Sequence, residues 1–359
     1  MNFNFVLPNN YNTPIGGYKI VYEYANLLVE EGHDVTITFM LFDATPFSYD
    51  KLRGKLSKLK VGLLFFLGHI YTSHKTVDWF PLDSRIKIKF SLPWNFFFPV
   101  SDIVIATAWQ TAYTVMRLNR KRGRKFYLIQ HDESVFGPQN LVRKTWFFPL
   151  KKIAIASWLK ELVEDVTAQD VMLVKNFVDT DTFYVTTPLN RRKNVVSMLY
   201  HDNPSKGSAD GISILKKVKT RVPDLEVRLF GTGNPPKNLP DYFQFVRKAN
   251  NTQLRDIYNQ SIIYLFPSHL EGWGLTATEA MACGAALVST KNGGVNDFGI
   301  QNETALLSDV GDIDGISENI INLIYNSDKR KKLAQNGQVL VSELTKLRSF
   351  SDLKKSLDV

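Results

Sequence analysis

Cysteine is nearly absent from this 359-residue chain, which contains only Cys283. A single thiol cannot form an intramolecular disulfide, so the sequence excludes a disulfide-stabilised fold and suits a reducing compartment. The first residues lead into the strand-like stretch Phe3–Leu7 without the basic, apolar and small-residue segments of a signal peptide. We therefore expect a cytoplasmic protein.

Long apolar runs are also missing. The longest, Val61–Gly68, is too short to span a bilayer, which requires about 20 residues. The chain has no internal repeats and no low-complexity runs. Its composition, 44% hydrophobic with 15 Pro and 21 Gly, is that of a globular protein, and its length allows two domains with full cores.

The balance of charge is positive. With 44 Lys and Arg against 35 Asp and Glu, the net charge is +9, which favours an acidic partner such as a nucleotide, an anionic lipid or a nucleic acid. No recognised nucleic-acid module is present, so we expect no nucleic-acid partner.

One region concentrates basic and apolar residues. Five Lys or Arg side chains lie within residues 51–60, immediately before the apolar run 61–67, and the aromatic cluster Trp94–Pro99 follows. The pattern fits either a solvated basic helix beside a core segment or a patch that rests on an anionic membrane surface. The sequence leaves both interpretations open.

Short apolar runs alternate with stretches of helical periodicity, which predicts an α/β fold with parallel sheets. The predicted strands are Phe3–Leu7, Asp34–Phe39, Ile103–Ala106, Lys125–Gln130, Ile153–Ala156, Val171–Val174, Val195–Leu199, Leu225–Phe230, Ile262–Phe266 and Ala285–Ser289. The alternation stops between Asn176 and Lys193, which predicts a linker and a domain boundary near residue 180. Beyond about residue 314 the chain is helical.

Glycine follows several of these strands at the point where a ligand is usually bound. Gly16 and Gly17 follow the first strand, and Lys206-Gly207, Gly231-Thr232-Gly233 and Glu271–Leu275 follow three strands of the second half. Glycine permits a close approach of the backbone to a ligand. Because the carboxyl ends of parallel strands meet at one edge, the three later loops should converge there.

The stretch from Pro267 to Ala286 carries the strongest signal, since a strand is followed by a glycine loop and a helix from about Thr276. Free N–H groups at such a helix start favour an anionic phosphate. Glu271 and Glu279 lie in the same stretch, and carboxylates repel phosphate. They suit the hydroxyl groups of a sugar or ribose, which donate hydrogen bonds.

His131 and a D-x-D triplet are further candidate ligand contacts. His131 follows a predicted strand and is either a ligand contact or a hydrogen-bonded loop histidine. Asp179 and Asp181 form a D-x-D triplet, a pattern that can hold a divalent ion. Their place in a connector argues against that role, so we expect no metal site.

Glu271-Gly-Trp-Gly-Leu275 with Glu279 resembles the E-x7-E motif of family 4 glycosyltransferases, a retaining group. Gly16-Gly17, Lys206-Gly207 and Gly293-Gly294 resemble that family's other glycine loops. The resemblance implies the GT-B fold: two Rossmann-like, doubly wound parallel-sheet domains facing across a cleft. Residues 1–180 would form the acceptor-binding domain with the crossing helix 346–359, and residues 181–345 the donor-binding domain.

The resemblance also implies roles for the motif residues. Glu271 would bind hydroxyls of the donor sugar, Glu279 would accept from the ribose, and Lys206 would neutralise the departing diphosphate. The sugar and the diphosphate would accept hydrogen bonds from the backbone N–H groups of Gly272, Trp273, Gly274 and Leu275.

Other matched positions surround the same ligand. Gly17, with Gly16, would approach the diphosphate from the first domain, and Gly231 and Gly233 would line the donor site. His131 would contact donor or acceptor. Relatives often have an arginine near Tyr200-His201, which this chain lacks; Arg228 could supply the missing charge.

The function implied is transfer of a hexose or a deoxyhexose such as rhamnose from a UDP-, dTDP- or GDP-linked donor. The acceptor would be a glycan or a lipid-linked molecule in cell-surface polysaccharide synthesis, with no metal or cofactor. The enzyme would be cytoplasmic or peripheral on the inner face of the membrane. The alternatives are a nucleotide-sugar epimerase or a non-catalytic GT-B partner subunit. A nicotinamide oxidoreductase fits poorly, because Gly231-Thr-Gly233 lacks a third glycine.

Overall fold

A computed structural model describes residues 1–41, 45 and 76–359. The chain divides into two compact units. The first contains residues 1–155, 159–174 and 350–359, and the second contains residues 156–158 and 175–349. The basic stretch 51–60 and the apolar run 61–67 lie outside the described residues, so both interpretations of them stay predictions.

The first unit contains a sheet of parallel strands with helices between them. Its strands are β1 (Asn2–Leu7), β2 (Asp34–Met40), β3 (Lys87–Ser91), β4 (Ile103–Ala106), β5 (Arg124–Ile129), β6 (Lys151–Ala154) and β7 (Met172–Leu173). Its helices within the described residues are α1 (Gly16–Glu30), α2 (Trp109–Arg117) and α3 (Gln139–Trp146). A further helix, α4 (Ser157–Thr167), has its first two residues in the second unit.

The strands of this sheet lie in the order β3-β2-β1-β4-β5-β6-β7, and every pair is parallel. In register, Phe3 lies beside Val35 on one side and Ile103 on the other. Strands β1 and β4 are buried along almost their whole length because helices cover both faces of a sheet of this kind. Strand β3 alternates between exposed and half-buried residues, as an edge strand does.

The second unit repeats the architecture with strands β8 (Val195–Leu199), β9 (Glu226–Gly231), β10 (Phe243–Arg247), β11 (Ile263–Phe266), β12 (Ala286–Thr290) and β13 (Ala305–Ser308). Its helices are α5 (Ser208–Arg221), α6 (Asn251–Gln260), α7 (Leu275–Ala282), α8 (Ile313–Tyr325) and α9 (Ser327–Ser342). The last helix, α10 (Lys346–Leu357), begins in this unit and continues in the first.

Both sheets share one strand order. The second runs β10-β9-β8-β11-β12-β13, all parallel, so its first strand β8 lies between β9 and β11 as β1 lies between β2 and β4. This is the doubly wound arrangement, in which the order reverses between β8 and β11 and opens a crevice at their carboxyl ends. The predicted fold class of two doubly wound α/β units is confirmed.

The structure corrects the placement of the first glycine pair. Gly16 and Gly17 begin helix α1 instead of lying in a loop before it. Helix α6 is capped by Asn250, whose side chain accepts from the Gln253 N–H. At the start of α4, the Ser157 N–H and hydroxyl both donate to the Asp297 carboxylate.

Strands β3, β10 and β13 are not predicted from the sequence, and each of them lies at an end of its sheet. Among the described residues, none of the helices is long and apolar enough to cross a membrane.

The linker is tied to the second unit by Arg192. Its guanidinium donates to the carbonyl oxygens of Thr187, Tyr258, Ser261 and Cys283 at 2.7–3.2 Å. The last three lie at the carboxyl ends of α6 and α7, where carbonyl groups lack helical partners and a cation is favourable. Burial lowers the pKa of Arg192 to about 10, so the guanidinium stays charged at neutral pH.

Replacing Arg192 with alanine should destabilise the second unit, because four carbonyl groups lose their donor inside the fold. We expect a loss on the order of 3 kcal/mol in the free energy of unfolding, measured in urea. The neighbouring exposed residue provides the control, Arg191→Ala, which should change stability by less than about 0.5 kcal/mol. Equal stability of the two variants would show that the hydrogen bonds of Arg192 to these carbonyl groups do not stabilise the second unit.

Candidate functional site

Four loops meet at the carboxyl edge of the second sheet. The His269 N–H donates to the Ser205 carbonyl at 2.7 Å, which joins the loops after β8 and β11. The Glu271 N–H donates to the Asn292 carbonyl at 2.9 Å, which joins the loops after β11 and β12. The loop after β9 approaches the loop after β8 through Gly231. The predicted convergence of the glycine loops is therefore observed.

Two of the glycines are required by contacts within the protein. A Cβ at Gly207 would lie 2.0 Å from the Pro267 carbonyl oxygen, and its φ of +62° disfavours other residues. A Cβ at Gly231 would lie 2.3 Å from the Tyr200 carbonyl oxygen. These glycines allow neighbouring loops to pack closely, which a sequence pattern cannot distinguish from a close approach to a ligand.

Lys206 and Glu271 form the centre of the site. The Lys206 Nζ lies 2.9 Å from Oε1 and 2.8 Å from Oε2 of Glu271, and the Ser268 hydroxyl donates to Oε1 at 2.8 Å. Glu271 is 6% exposed, and the Lys206 side chain is 23% exposed. The pair spans the crevice between β8 and β11, the point where the strand order reverses.

Both groups keep hydrogen-bonding capacity for a ligand. An ammonium has three donors, and Glu271 takes two of those of Lys206. A carboxylate has about four lone-pair sites, of which three are occupied at Glu271. An anion could therefore bind Lys206, and a hydroxyl could donate to Glu271, without breaking the pair.

Helix α7 begins beside this pair with its donors unpaired. Among the described residues, no acceptor is bonded to the backbone N–H groups of Gly272, Trp273, Gly274 and Leu275. Gly274 has a φ of +118°, and a Cβ there would lie 2.8 Å from the Phe266 ring. The positive end of a helix with open N–H groups favours an anion. The Trp273 indole itself is buried against Phe298 and does not face the site.

Glu279 lies in the second turn of α7 and is 5% exposed. Its Oε2 accepts from the Tyr258 hydroxyl at 3.2 Å. Burial raises the pKa of Tyr258 well above its usual value, so the phenol keeps its proton and stays a donor. Burial also raises the pKa of the nearby Cys283 thiol to about 12, which makes it a poor nucleophile at neutral pH.

In the first unit, Gly17 lies at the start of α1, where a Cβ would come within 3.1–3.3 Å of the Gln130 side-chain amide. The Gln130 Nε2 donates to the Thr107 carbonyl at 3.2 Å. The segments that follow β1, β4 and β5 thus meet at the carboxyl edge of this sheet. His131 follows Gln130, with its Nδ1 3.0 Å from the Asp132 carbonyl and its ring 4.9 Å from the Phe136 ring.

Glu133, two residues after His131, has an unusual environment. Its Oε2 accepts from the Trp109 N–H at 2.7 Å, at the start of α2, and from the Tyr127 hydroxyl at 3.2 Å. Burial raises the pKa of Glu133 to about 7. Nothing in the local sequence indicates this, because the two donors come from a helix start and a strand interior.

Trp158 is a further residue that the sequence did not indicate. Its Nε1 donates to the Gly272 carbonyl at 3.0 Å, and a Cβ at Gly293 would lie 3.0–3.3 Å from its ring. Glu271 lies between these two contacts, since it pairs with Gly293 in an isolated bridge. The indole therefore fixes the backbone on both sides of the Glu271 loop.

Neither Arg228 nor His201 supplies the charge of the missing arginine. Arg228 forms an ion pair with Glu226 at 2.7 Å and lies inside β9 instead of at its end. Burial, with the charge of Lys206, lowers the pKa of His201, so its ring is neutral at pH 7. The structure therefore does not support Arg228 as the replacement for the missing arginine.

The D-x-D triplet folds on itself. The Asp179 carboxylate accepts from the Asp181 N–H at 3.2 Å and from the Thr182 hydroxyl at 2.7 Å, which is an Asx-type turn. Within the described ranges, no group of three or more His, Cys, Asp or Glu residues is placed to hold a metal ion.

Comparison with known proteins gives a family signal for the second unit. Residues 179–339 match the family model of the glycosyl transferases group 1. The matched segment contains Lys206, Glu271 and Glu279.

The chain is also similar to curated proteins and to solved structures. It is 32% identical to the capsular polysaccharide biosynthesis glycosyltransferase CapM of Staphylococcus aureus, over 63% of this chain and 64% of CapM. HepE of Anabaena gives a TM-score of 0.72 at 14% identity, covering 100% of this chain and 99% of HepE. TarM of S. aureus gives 0.75 at 10% identity and full coverage of both chains.

The family-model match lies wholly within the second unit. The structural likeness, at such low identity, shows the fold alone, which is GT-B as predicted. The chain spans between 39% and 64% of the length of the curated relatives it matches.

Glu133 predicts a pH dependence of stability. Its folded-state pKa of about 7 exceeds its ordinary value of 4.5, so it contributes stability below about pH 4.5, and the contribution is lost as pH rises through 7. Glu133→Gln keeps the acceptor without the charge. The melting temperature of this variant relative to the parent should therefore rise from pH 5 to pH 8. A control at the exposed Glu303, Glu303→Gln, should show no such trend.

Trp158→Phe should loosen the Glu271 loop, because the ring stays against Gly293 while the bond to the Gly272 carbonyl is lost. We expect faster hydrogen–deuterium exchange in a peptide covering residues 270–276, and a loss of about 1 kcal/mol in stability. Trp94→Phe, at an exposed position, is the control. Unchanged exchange in that peptide would show that the indole does not hold the loop.

Proposed function

We propose that the protein transfers a sugar from a nucleoside-diphosphate donor to a glycan or lipid-linked acceptor. One observation carries the proposal: the Lys206–Glu271 pair lies beside four N–H groups at the start of α7 that have no acceptor among the described residues. This combines an anion site with a carboxylate acceptor in one crevice. A nucleoside-diphosphate sugar has the matching groups, since its charged diphosphate is next to a sugar rich in hydroxyl donors.

In this proposal the diphosphate binds the open N–H groups of Gly272–Leu275 and the third donor of Lys206. The bond between the anomeric carbon and the diphosphate oxygen breaks, and that oxygen keeps the electron pair. The growing negative charge is stabilised by Lys206 and the helix start, which are already oriented toward it. The acceptor hydroxyl oxygen forms the new glycosidic bond to the anomeric carbon, and its proton passes to the departing diphosphate.

The two carboxylates have separate tasks in this proposal. Glu271 accepts from hydroxyls of the transferred sugar, and its hydrogen bonds from Lys206 and Ser268 keep it oriented. Glu279 accepts from the ribose hydroxyls, while the Tyr258 hydroxyl fixes its other oxygen. We also propose that the donor or the acceptor contacts Gly16, Gly17 and His131 of the first unit. Gly231 and Gly233 would line the donor site.

The relatives are consistent with this assignment. HepE was solved in complex with UDP and glucose, and TarM in complex with UDP and α-GlcNAc-glycerol. CapM is named for capsular polysaccharide biosynthesis. These properties belong to those proteins. They support a hexosyl donor linked to a nucleotide and an acceptor of the glycan class for the present chain.

The first experiment is a donor screen. The purified protein is mixed with UDP-, dTDP- and GDP-linked sugars, and binding is followed by thermal shift and calorimetry, with and without EDTA. We expect one nucleotide class to bind and EDTA to have no effect, because Lys206 and α7 carry the charge in the proposal. Failure of every donor to bind would overturn the proposal. Turnover of a donor to an isomeric sugar nucleotide would indicate an epimerase instead.

Three variants should then separate the contacts. Glu271→Gln should weaken binding of the nucleotide sugar and leave that of the free nucleoside diphosphate nearly unchanged. Lys206→Met should weaken both, and Glu279→Gln should weaken both but lose its effect with the 2′,3′-dideoxy nucleotide. We expect roughly tenfold to hundredfold losses, from hydrogen bonds to charged groups. Glu303→Gln is the control. A Glu279→Gln effect that persists without ribose hydroxyls would contradict its assignment.

A further inference from the structure

The first unit displays an aromatic and apolar cluster on an exposed loop between β3 and β4. Trp94 is 53% exposed, Phe96 is 72% exposed and Val100 is 69% exposed. Large apolar side chains at such exposure are unfavourable in water unless a partner covers them. Because they lie within seven consecutive residues, they form one patch instead of scattered single positions.

The structure holds this patch in a defined shape. A short turn at Asn95–Phe97 is closed by hydrogen bonds from the Phe97 N–H to the Trp94 carbonyl and from the Phe98 N–H to the Asn95 carbonyl. Phe98 is buried and anchors the turn, whereas Phe96 and Trp94 stay outside. The rings of Phe96 and Phe97 lie 3.9 Å apart. The turn and the buried Phe98 therefore hold the rings of Trp94 and Phe96 at the surface.

A strongly basic segment lies beside the patch. The Asn119 N–H donates to the Asn95 side chain at 2.7 Å, which joins the aromatic turn to the turn Arg120–Arg122. Residues 117–125 contain six Lys or Arg and no Asp or Glu. Arg120 and Lys121 are exposed, and neither forms an ion pair with any residue that the structure describes.

The patch is remote from the predicted ligand residues of its own sheet. Arg120–Arg122 precedes β5 and Val100 precedes β4, so both lie toward the amino ends of these strands. His131 follows β5, at the opposite edge. Ligands of doubly wound sheets bind at the carboxyl ends. The aromatic-basic patch, defined as Trp94, Phe96, Val100, Arg120 and Lys121, is therefore a separate surface.

We propose that the aromatic-basic patch docks the protein onto an anionic lipid bilayer. Aromatic rings suit the interface between headgroups and acyl chains, and adjacent cations are attracted to acidic headgroups. The combination distinguishes this partner from a soluble polyanion, which would need the cations alone. The net charge of +9 adds a long-range attraction to the same surface.

The test measures cosedimentation of the full chain with vesicles of phosphatidylcholine alone or with one third phosphatidylglycerol, at 50 and 300 mM salt. The parent protein should bind only the anionic vesicles, and less at high salt. Arg120→Gln with Lys121→Gln should lower the partition coefficient roughly tenfold or more. Trp94→Ala with Phe96→Ala should lower it at both salt concentrations, because insertion does not depend on charge.

Matched controls lie on the second unit. Lys216→Gln with Lys332→Gln removes two exposed cations, and Val339→Ala with Leu347→Ala removes two exposed apolar side chains. Neither should change vesicle binding. Equal losses in patch and control variants, or a parent that binds heparin but no vesicles, would overturn the proposal. Nucleotide binding by all variants should equal that of the parent, so this result is independent of the donor assignment.

Discussion

The ion pair between Lys206 and Glu271 is the interaction around which the second unit is arranged. It joins the loops after β8 and β11, two adjacent strands whose following helices lie on opposite sides of the sheet. This reversal of the strand order leaves a crevice at the carboxyl ends of the two strands. A buried carboxylate there requires a cation and further donors, which Lys206 and Ser268 supply.

The surrounding structure serves to keep that pair in place. Gly207 permits the close contact with Pro267, and Trp158 holds the carbonyl of Gly272. Arg192 ties the carboxyl ends of α6 and α7, and α7 carries Glu279. Within the described residues, these contacts leave the backbone N–H groups at the amino end of α7 without a protein acceptor. The protein thus orients the two carboxylates and leaves the start of the helix available to a ligand.

The two kinds of surface in the chain follow different physical rules. The crevice of the second unit uses buried, oriented polar groups, which favour a small ligand with matching donors and acceptors. The aromatic-basic patch of the first unit uses exposed rings and cations, which favour an extended anionic surface. A glycosyltransferase that acts on lipid-linked acceptors would need both, although each can be tested without the other.

The sequence alone determined the fold class and most strand positions, because buried parallel strands are continuous apolar runs, as in Ile263–Phe266. It also indicated Glu271 and Glu279 as candidate ligand contacts, since a glycine loop before a helix is a local pattern. Only the tertiary structure decided which groups meet. The partners Tyr258, Trp158 and Asp297 are distant in sequence from the groups they bind, and the edge strand β3 lacks the apolar pattern. Local patterns record which face is buried, whereas pairing depends on the strand order, which no short segment encodes.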